Sequence, residues 1–258
     1  MRRLRGPDGC PWDRQQTTDS LKPYVLEEAY EVYDAIEDGD RAHLCEELGD
    51  LLLQIVFHAQ IAQEAGWFSF KDVVDGLIAK LIRRHPHVFG EATVADADEV
   101  LRRWEAIKRQ EKKVSARSAV EGVPRQLPAL RRAEQVQRRA ARLGFDWSER
   151  DQVIAKLEEE IAEFKAVLQH GDARAMREEL GDVLFTLVNL SRFIATDAED
   201  ALHATTEKFM RRFQVVEQKA RQRHLDIATC GLDVLDALWE EAKREEPPAS
   251  ASASQQGE

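Results

Sequence analysis

The chain has 258 residues and a formal net charge of −11, and 33 % of its residues are charged. This acidic balance argues against non-specific binding to nucleic acid and against docking on an anionic membrane. No apolar run approaches the about 20 residues that a membrane span needs, and no signal peptide is recognisable. Three widely separated cysteines argue against a disulfide framework or a zinc site, so we expect a cytoplasmic protein.

The spacing of apolar residues predicts helices throughout the chain. We expect helices over residues 21–37, 43–65, 70–84 and 99–113, and then over 130–143, 153–169, 173–195, 198–223 and 233–246. No segment alternates with a period of two, so the predicted fold class is all-α. The predicted domains are residues 1–113 and 129–246, with a Ser, Ala, Gly and Pro-rich linker at 114–128 and a disordered tail at 247–258.

One carboxylate pattern occurs twice, as a Glu-x-x-Glu pair and a Glu-Leu-Gly-Asp stretch separated by a short glycine-containing break. The first copy supplies Glu28, Glu31, Glu47 and Asp50, and the second supplies Glu160, Glu163, Glu179 and Asp182, at one constant spacing with no gap. Such internal similarity predicts two tandem helical-bundle domains of the same architecture.

The glycine-containing break predicts an antiparallel helical hairpin in each copy. Residues three apart share one helical face, so the two acids of each pair point in one direction. In the first copy the two acids nearer the turn, Glu31 and Glu47, are equally far from Gly39 in sequence, and so are the two outer acids, Glu28 and Asp50. The second copy has the same spacing about Gly171. We therefore expect the four carboxylates of each copy at two facing levels, about 12 and about 16 Å from the turn.

Four like charges between helices packed about 8 to 10 Å apart need a cation or shifted pKa values. Oxygen ligands on rigid helices suit Mg²⁺, or Mn²⁺, which retain waters and bind substrate phosphates. A single Glu-x-x-Glu is more often a solvated helix face, but duplication with mirrored spacing favours a metal site. The pattern thus predicts a metal-dependent enzyme that acts on phosphates, with the acids of both copies as metal ligands.

Basic and aromatic residues repeat together with the acids. A Lys and an Arg four residues apart share a helical face and could clamp a triphosphate, and a Trp on the last helix of each half could stack on a base. A solvated cationic face and simple core packing are the alternatives. The repeated pairs are Lys80 with Lys208, Arg84 with Arg212, and Trp104 with Trp239.

The complete set of motifs resembles the MazG family of nucleoside triphosphate pyrophosphohydrolases, in its form with two tandem all-α domains. The resemblance extends over residues 3–246. It is carried by Cys10-Pro11-Trp12-Asp13, Glu27-Glu28-x-x-Glu31, Glu47-Leu48-Gly49-Asp50, Arg83-Arg84-His85-Pro86-His87-Val88-Phe89, Gly144-Phe145-Asp146-Trp147 and Lys208-Phe209-x-Arg211-Arg212-Phe213.

This resemblance implies hydrolysis between the α and β phosphates of a nucleoside triphosphate, with Mg²⁺ on the acidic residues. It implies a homodimer in which the carboxylate helices of paired domains form the bundle. Carried over residue by residue, the catalytic and metal-binding set is Glu160, Glu163, Glu179 and Asp182, and the substrate-binding set is Lys156, Glu159, Glu160, Asp182, Lys208, Arg212 and Trp239. Ala175 stands where the family has a lysine, and Arg174 or Arg177 is the candidate replacement.

The residues themselves support the same mechanism. A metal lowers the pKa of a bound water, a spare carboxylate accepts its proton, and Lys208 and Arg212 neutralise the leaving pyrophosphate. The expected partners are nucleoside triphosphates and a second copy of the chain, without nucleic acid or membrane. The first half has Tyr24 in place of Lys156 and no helix matching residues 130–143, so we expect the second half to carry most activity.

Two further functions remain open. A di-iron carboxylate bundle also places paired acids inside helices, but it normally uses Glu-x-x-His on two helices, and neither acidic pair here ends in His. A helical interaction module with vestigial acidic sites is the second alternative. Iron content would favour the first, and the absence of metal-linked nucleotide binding would favour the second.

Overall fold

The computed structural model describes residues 1–96, 99–100, 103–104, 107 and 118–245. The predicted tail at 247–258, most of the helix predicted at 99–113 and the start of the predicted linker lie outside the described residues. Throughout the described residues the regular structure is helical and contains no strand, which confirms the all-α prediction. The chain divides into two compact units, Met1–Ser115 and Ala116–Glu258.

The first unit is built on one long helical hairpin. Helix α2 packs along α3, and α4 packs against α3. The short helix α5, which is not among the predicted helices, follows α4 directly. Before α2 the described residues hold turns and a short helix, with no counterpart of the first helix of the second unit. The helices are α1 (Pro11–Gln15), α2 (Lys22–Asp38), α3 (Arg41–Glu64), α4 (Phe70–Arg84) and α5 (Pro86–Phe89).

The second unit repeats the hairpin and adds a helix before it. Its hairpin consists of α7 and α8, α6 packs against α8 and α9, and α9 pairs with α10. Residues 118–128 of the predicted linker contact this unit, since Arg139 donates to the carbonyl of Gly122 at 3.2 Å. The helices are α6 (Ala129–Ala141), α7 (Arg150–His170), α8 (Ala173–Phe193), α9 (Ala198–Gln222) and α10 (Leu232–Glu245).

The same cap chemistry makes both hairpin turns. Gly39 and Gly171 end the first helix of each hairpin in the left-handed region, at φ values of 69° and 74°. Glycine adopts this conformation without a Cβ clash. Asp40 and Asp172 then cap the second helix by accepting hydrogen bonds from two backbone N–H groups each. The turn therefore fixes the register that brings the acids of the two helices together.

Each unit buries a small set of apolar side chains. The second unit has a cluster of Val216, Ala220, Leu238 and Ala242 between α9 and α10, with Trp239 packed against it. In the first unit, Leu21 and Phe57 are the larger buried side chains. None of the helices among the described residues has the length and apolar character needed to cross a membrane.

Arg5 ties the start of the first unit to the end of α3. Its Nε and Nη2 both donate to Glu64, at 2.9 and 2.7 Å to Oε2, and its Nη1 donates to the carbonyls of Asp13 and Gln16. The guanidinium carbon also lies 5.5 Å from the centre of the Phe57 ring. This side chain is almost fully buried, whereas the Glu64 side chain is 40 % exposed.

Candidate active site

Each hairpin brings three carboxylates into one group. Within each group a carboxylate oxygen from every member lies within 4.8 Å of the others. Each group combines one acid from the first helix of the hairpin with two from the second helix, three of the four acids that the mirrored spacing predicts in each copy. The groups are Glu28, Glu47 and Asp50 in the first unit and Glu160, Glu179 and Asp182 in the second.

The groups are partly withdrawn from water. Glu47 is 8 % exposed and Glu160 is 6 % exposed, which is unusual for ionisable residues. Desolvation raises the pKa of Glu179, and the charges of Glu163, Asp182 and Glu160 raise it further. Close carboxylates that resist ionisation are stabilised by a cation. The donors are all oxygen atoms, so the groups fit a hard divalent ion such as Mg²⁺ or Mn²⁺.

The first group is electrostatically similar. Desolvation is the largest cause that raises the pKa of Glu28, and the charges of Asp50 and Glu31 add to it, while a hydrogen bond from Gln54 lowers it. That bond runs from Gln54 Nε2 to Glu28 Oε1 at 3.1 Å. A carboxylate with a raised pKa thus occurs in both groups, on the first helix of the hairpin in this unit and on the second helix in the other.

The remaining predicted ligands, Glu31 and Glu163, lie outside these three-acid groups. The pKa of Glu31 is raised, first by desolvation and then by the charge of Glu47, with which it shares a hydrogen bond. Glu163 is exposed, and its charge contributes to the raised pKa of Glu179. Each therefore borders its group from the next turn of the helix.

Lys156 places a positive charge against the second group. Its Nζ lies 2.7 Å from Glu160 Oε1 and 2.8 Å from Glu159 Oε1. Hydrogen bonds to Glu159 and then Glu160 raise the pKa of Lys156, so the ammonium is retained at neutral pH. Two of the predicted substrate-binding residues, Lys156 and Glu159, thus meet at the edge of the three-acid group.

The first unit uses different residues at the corresponding positions. Tyr24 replaces Lys156, and its ring meets that of Trp12 edge-on, with 6.4 Å between their centres. His43 occupies the position of Ala175, and His43 Nε2 lies 3.0 Å from Glu47 Oε1. The first group therefore has an imidazole beside Glu47 on its second helix, whereas the second group has an ammonium beside Glu160 on its first helix.

The predicted clamp lies on α9 and α10. The Arg212 guanidinium carbon is 5.9 Å from the centre of the Trp239 ring, and the Phe209 ring centre is 5.1 Å from it. Trp239 is half-buried and contacts both neighbours, so its ring supports the Arg212 side chain. No ion pair involves Lys208 within the described part of the chain. Arg174, a candidate replacement for the missing lysine, is exposed and bonds to Glu178 at 2.9 Å.

Sequence reasoning missed the polar side chains that support the acids. Gln54 is 7 % exposed and directs its amide to Glu28, and its counterpart in the second unit, Thr186, is 8 % exposed. His43 beside Glu47 was missed in the same way. The available signal was spacing, because Gln54 follows Asp50 by one helical turn and His43 precedes Glu47 by one turn.

Comparison with known proteins agrees with the fold and the paired sites. A model of the MazG nucleotide pyrophosphohydrolase domain matches residues 16–89 and again residues 149–216. The chain is 47 % identical over 250 residues to the nucleoside triphosphate pyrophosphohydrolase of Escherichia coli (strain K12), covering 95 % of each protein. It is 45 % identical over 243 residues to the nucleoside triphosphate pyrophosphohydrolase/pyrophosphatase MazG of Thermotoga maritima, covering 94 % of this chain and 92 % of the relative.

A third relative matches about half of the chain. This is the nucleoside triphosphate pyrophosphohydrolase of Mycolicibacterium smegmatis, at 47 % identity over 138 residues, covering 52 % of this chain and 42 % of the relative. Two domain matches and two nearly full-length relatives confirm the resemblance that the motifs indicate. The chain therefore belongs to the MazG nucleotide pyrophosphohydrolase family.

Proposed function

We propose that this protein hydrolyses nucleoside triphosphates to nucleoside monophosphates and pyrophosphate, with Mg²⁺ held by the second unit. The observation that carries this proposal is the group of Glu160, Glu179 and Asp182, with the Lys156 ammonium 2.7 Å from Glu160. Membership of the family and the names of the near full-length relatives support the same reaction. Mn²⁺ is the alternative metal, since it accepts the same oxygen ligands.

The acids divide into two roles. Glu160, Glu179 and Asp182 would hold the ion, which when bound polarises phosphoryl oxygens and lowers the pKa of a bound water. Glu163 lies outside the group on the next turn of α7 and is exposed, so its carboxylate is placed to accept the proton of the attacking water. No covalent nucleophile is required.

The basic residues bind the phosphate chain. Lys156 lies beside the acids and would contact the phosphates next to the ion. Lys208 and Arg212 would neutralise the charge that develops on the leaving pyrophosphate, Lys208 as a point charge and Arg212 through its planar fork. The contact of Arg212 with Trp239 limits the rotamers of this guanidinium, which lowers the entropic cost of holding a phosphate.

We also propose that the protein is a homodimer. Both hairpins expose large apolar side chains that the single chain does not cover, with exposed fractions of 51 % for Leu48 and 46 % for Leu180. Family membership makes a second copy of this chain the occupant that fits these matching faces. Others on the same helices are Leu26, Tyr30, Leu52, Ile55, Leu168, Leu184, Phe185 and Leu187.

The unpaired cysteines support a cellular compartment, and the net charge supports a set of partners. Cys10, Cys45 and Cys230 are all unpaired, as expected in a reducing compartment, so we place the protein in the cytoplasm. The net charge of −11 supports a partner set without nucleic acid.

The decisive experiment incubates the purified protein with a panel of nucleoside triphosphates and Mg²⁺, and resolves the products by ion-exchange chromatography. We expect monophosphate and pyrophosphate from the wild type and almost no product from Asp182→Ala. Iron with an oxo-bridge absorbance in the purified protein would instead favour the di-iron bundle. A calorimetric titration of Mg²⁺ and a non-hydrolysable triphosphate that releases no heat would favour the interaction module.

A further inference from the structure

The first unit contains a cavity beside the C-terminal end of α4, away from the residues of its carboxylate group. Its volume is about 390 Å³. This lies near the lower end of the range for small-molecule sites, about 300 to 1,000 Å³. The residues that line the cavity are Lys80, Leu81, Arg84, His85, Val100 and Trp104.

The cavity arises from two differences between the repeated units. In the second unit, Phe209 and Phe213 stack with 5.9 Å between their ring centres, and Phe209 also contacts Trp239 at 5.1 Å. The corresponding residues of the first unit are Leu81 and His85. These side chains are smaller than two phenylalanines, so the space beside the first unit's tryptophan remains open.

The lining of the cavity is cationic on one side and apolar on the other. Lys80 has no ion-pair partner among the residues that the structure describes, so its ammonium can accept an external anion. The Arg84 guanidinium carbon lies over the Trp104 ring, 5.6 Å from the ring centre. Arg84 adds a second permanent positive charge to this side of the cavity. Leu81, Val100 and Trp104 offer surface to a flat apolar group.

Two features limit the number of phosphates that the cavity can neutralise. The permanent cations of the described lining are Lys80 and Arg84, whereas the substrate-binding set proposed for the second unit includes three, Lys156, Lys208 and Arg212. The described lining includes no carboxylate, so these residues offer a divalent ion none of the ligands that the acidic groups present. A ligand with one phosphate fits this charge better than one with three.

We propose that this cavity is a second nucleotide site, which binds a nucleoside monophosphate without metal. The phosphate contacts Lys80 and Arg84, and the base lies against Leu81 and Val100. Binding here does not depend on hydrolysis in the second unit, so the two proposals can fail separately. The ligand is chemically the nucleotide product of the proposed reaction, and this makes the first unit a candidate sensor of product.

The test titrates adenosine monophosphate into the full-length chain in EDTA and follows binding by calorimetry. EDTA removes any metal-dependent contribution from the carboxylate groups. The cavity variants are Lys80→Ala, which removes the phosphate contact, and Leu81→Phe, which restores the aromatic residue of the second unit. Lys71→Ala is the matched control, because Lys71 lies on the same helix and pairs with Asp75. Circular dichroism confirms that each variant is folded.

We expect one site per chain in the wild type and in Lys71→Ala. Affinity should fall about tenfold or more in Lys80→Ala, as expected for loss of a charged hydrogen bond. Leu81→Phe should also abolish binding, and Lys208→Ala in the second unit should retain it. Absence of binding to the wild type, or unchanged affinity in Lys80→Ala, would overturn the proposal. If Leu81→Phe does not fold, the Lys80→Ala result decides.

Discussion

The two carboxylate groups are geometrically alike, so their separate removal tests which unit carries catalysis. In the second unit, Glu160→Ala deletes a ligand that is 6 % exposed and held by Lys156, and Asp182→Ala deletes a ligand from the opposite helix. Glu28→Ala and Asp50→Ala are the matched variants, because these residues occupy the same positions of the first group. We expect the second-unit variants to lose most triphosphate hydrolysis.

The size of the effect follows from the composition of the group. Removing one of three carboxylates leaves two ligands for the ion, and it leaves Lys156 without one of its two acceptors when Glu160 is the residue removed. Loss of a direct ligand should cost at least as much as loss of a supporting residue, so we expect kcat/KM to fall about 100-fold or more. This equals about 2.7 kcal/mol of transition-state stabilisation. Glu28→Ala and Asp50→Ala should lower kcat/KM less than about fivefold.

The assay measures kcat/KM for one triphosphate at saturating Mg²⁺ in the wild type and all four variants, by release of pyrophosphate. Thermal unfolding of each variant, without metal, shows whether the change is confined to the site. Abolished activity in the first-unit variants with preserved activity in the second-unit variants would refute the reasoning. In that case the tyrosine at position 24 would not be the deficit that we infer.

The remaining predictions concern the products, the assembly and the first unit's stability. Phosphate analysis of the reaction should show pyrophosphate as the first product, and early release of orthophosphate would contradict the proposed reaction. EDTA should abolish activity, and turnover in EDTA would contradict the role of the metal. Light scattering at micromolar concentration should give the mass of a dimer, and a monomer mass would argue against pairing through the exposed apolar faces. Arg5→Met should lower the free energy of unfolding by about 2 kcal/mol at pH 7 in a denaturant titration, because Arg5 is buried and donates to Glu64 and two backbone carbonyls. Arg14→Met is the control and should lower it much less, because Arg14 donates to one carbonyl at an exposed position. Arg5 lowers the pKa of Glu64 in the folded protein, so the stabilisation from this ion pair is fully present above the unfolded-state pKa of about 4.3. The stabilisation is lost as the pH falls through the lowered folded-state pKa. A stability difference between Arg5→Met and wild type that does not change with pH would contradict this.

Sequence spacing predicted the hairpins and the acidic groups because both depend on local geometry. Helical periodicity specifies which acids share a face, and Gly39 with Asp40 specifies the turn that pairs the two faces. Among the described residues the helix bounds agree with the prediction to within a few residues, apart from the short helices α1 and α5, which the spacing did not predict. The regular part of the fold was therefore accessible from the sequence.

The missed features depend on contacts between side chains that spacing does not specify. Gln54 donates to Glu28 across the hairpin, and that contact depends on rotamers in the packed interface. Helical spacing also does not specify which three of the four predicted acids bring their oxygens within 4.8 Å of one another, since it places Glu163 on the same face as Glu160. The cavity beside Trp104 could be found only by knowing that Leu81 leaves the space that Phe209 fills.

The position of Lys156 offers a reciprocal test of why the two units should differ. Tyr24 occupies the same turn before the first acidic group, is 37 % exposed and contacts Trp12 only by an edge, so a lysine can replace it without opening the core. Tyr24→Lys places an ammonium one turn before Glu28, as Lys156 stands before Glu160. In an Asp182→Ala background we expect this substitution to raise residual kcat/KM up to about tenfold, the effect of about 1.4 kcal/mol from one added charge near the phosphates. Tyr24→Gln is the neutral control of similar length. Equal activity in the two variants would show that the missing charge does not limit the first unit, and its His43 beside Glu47 would then be the difference to examine.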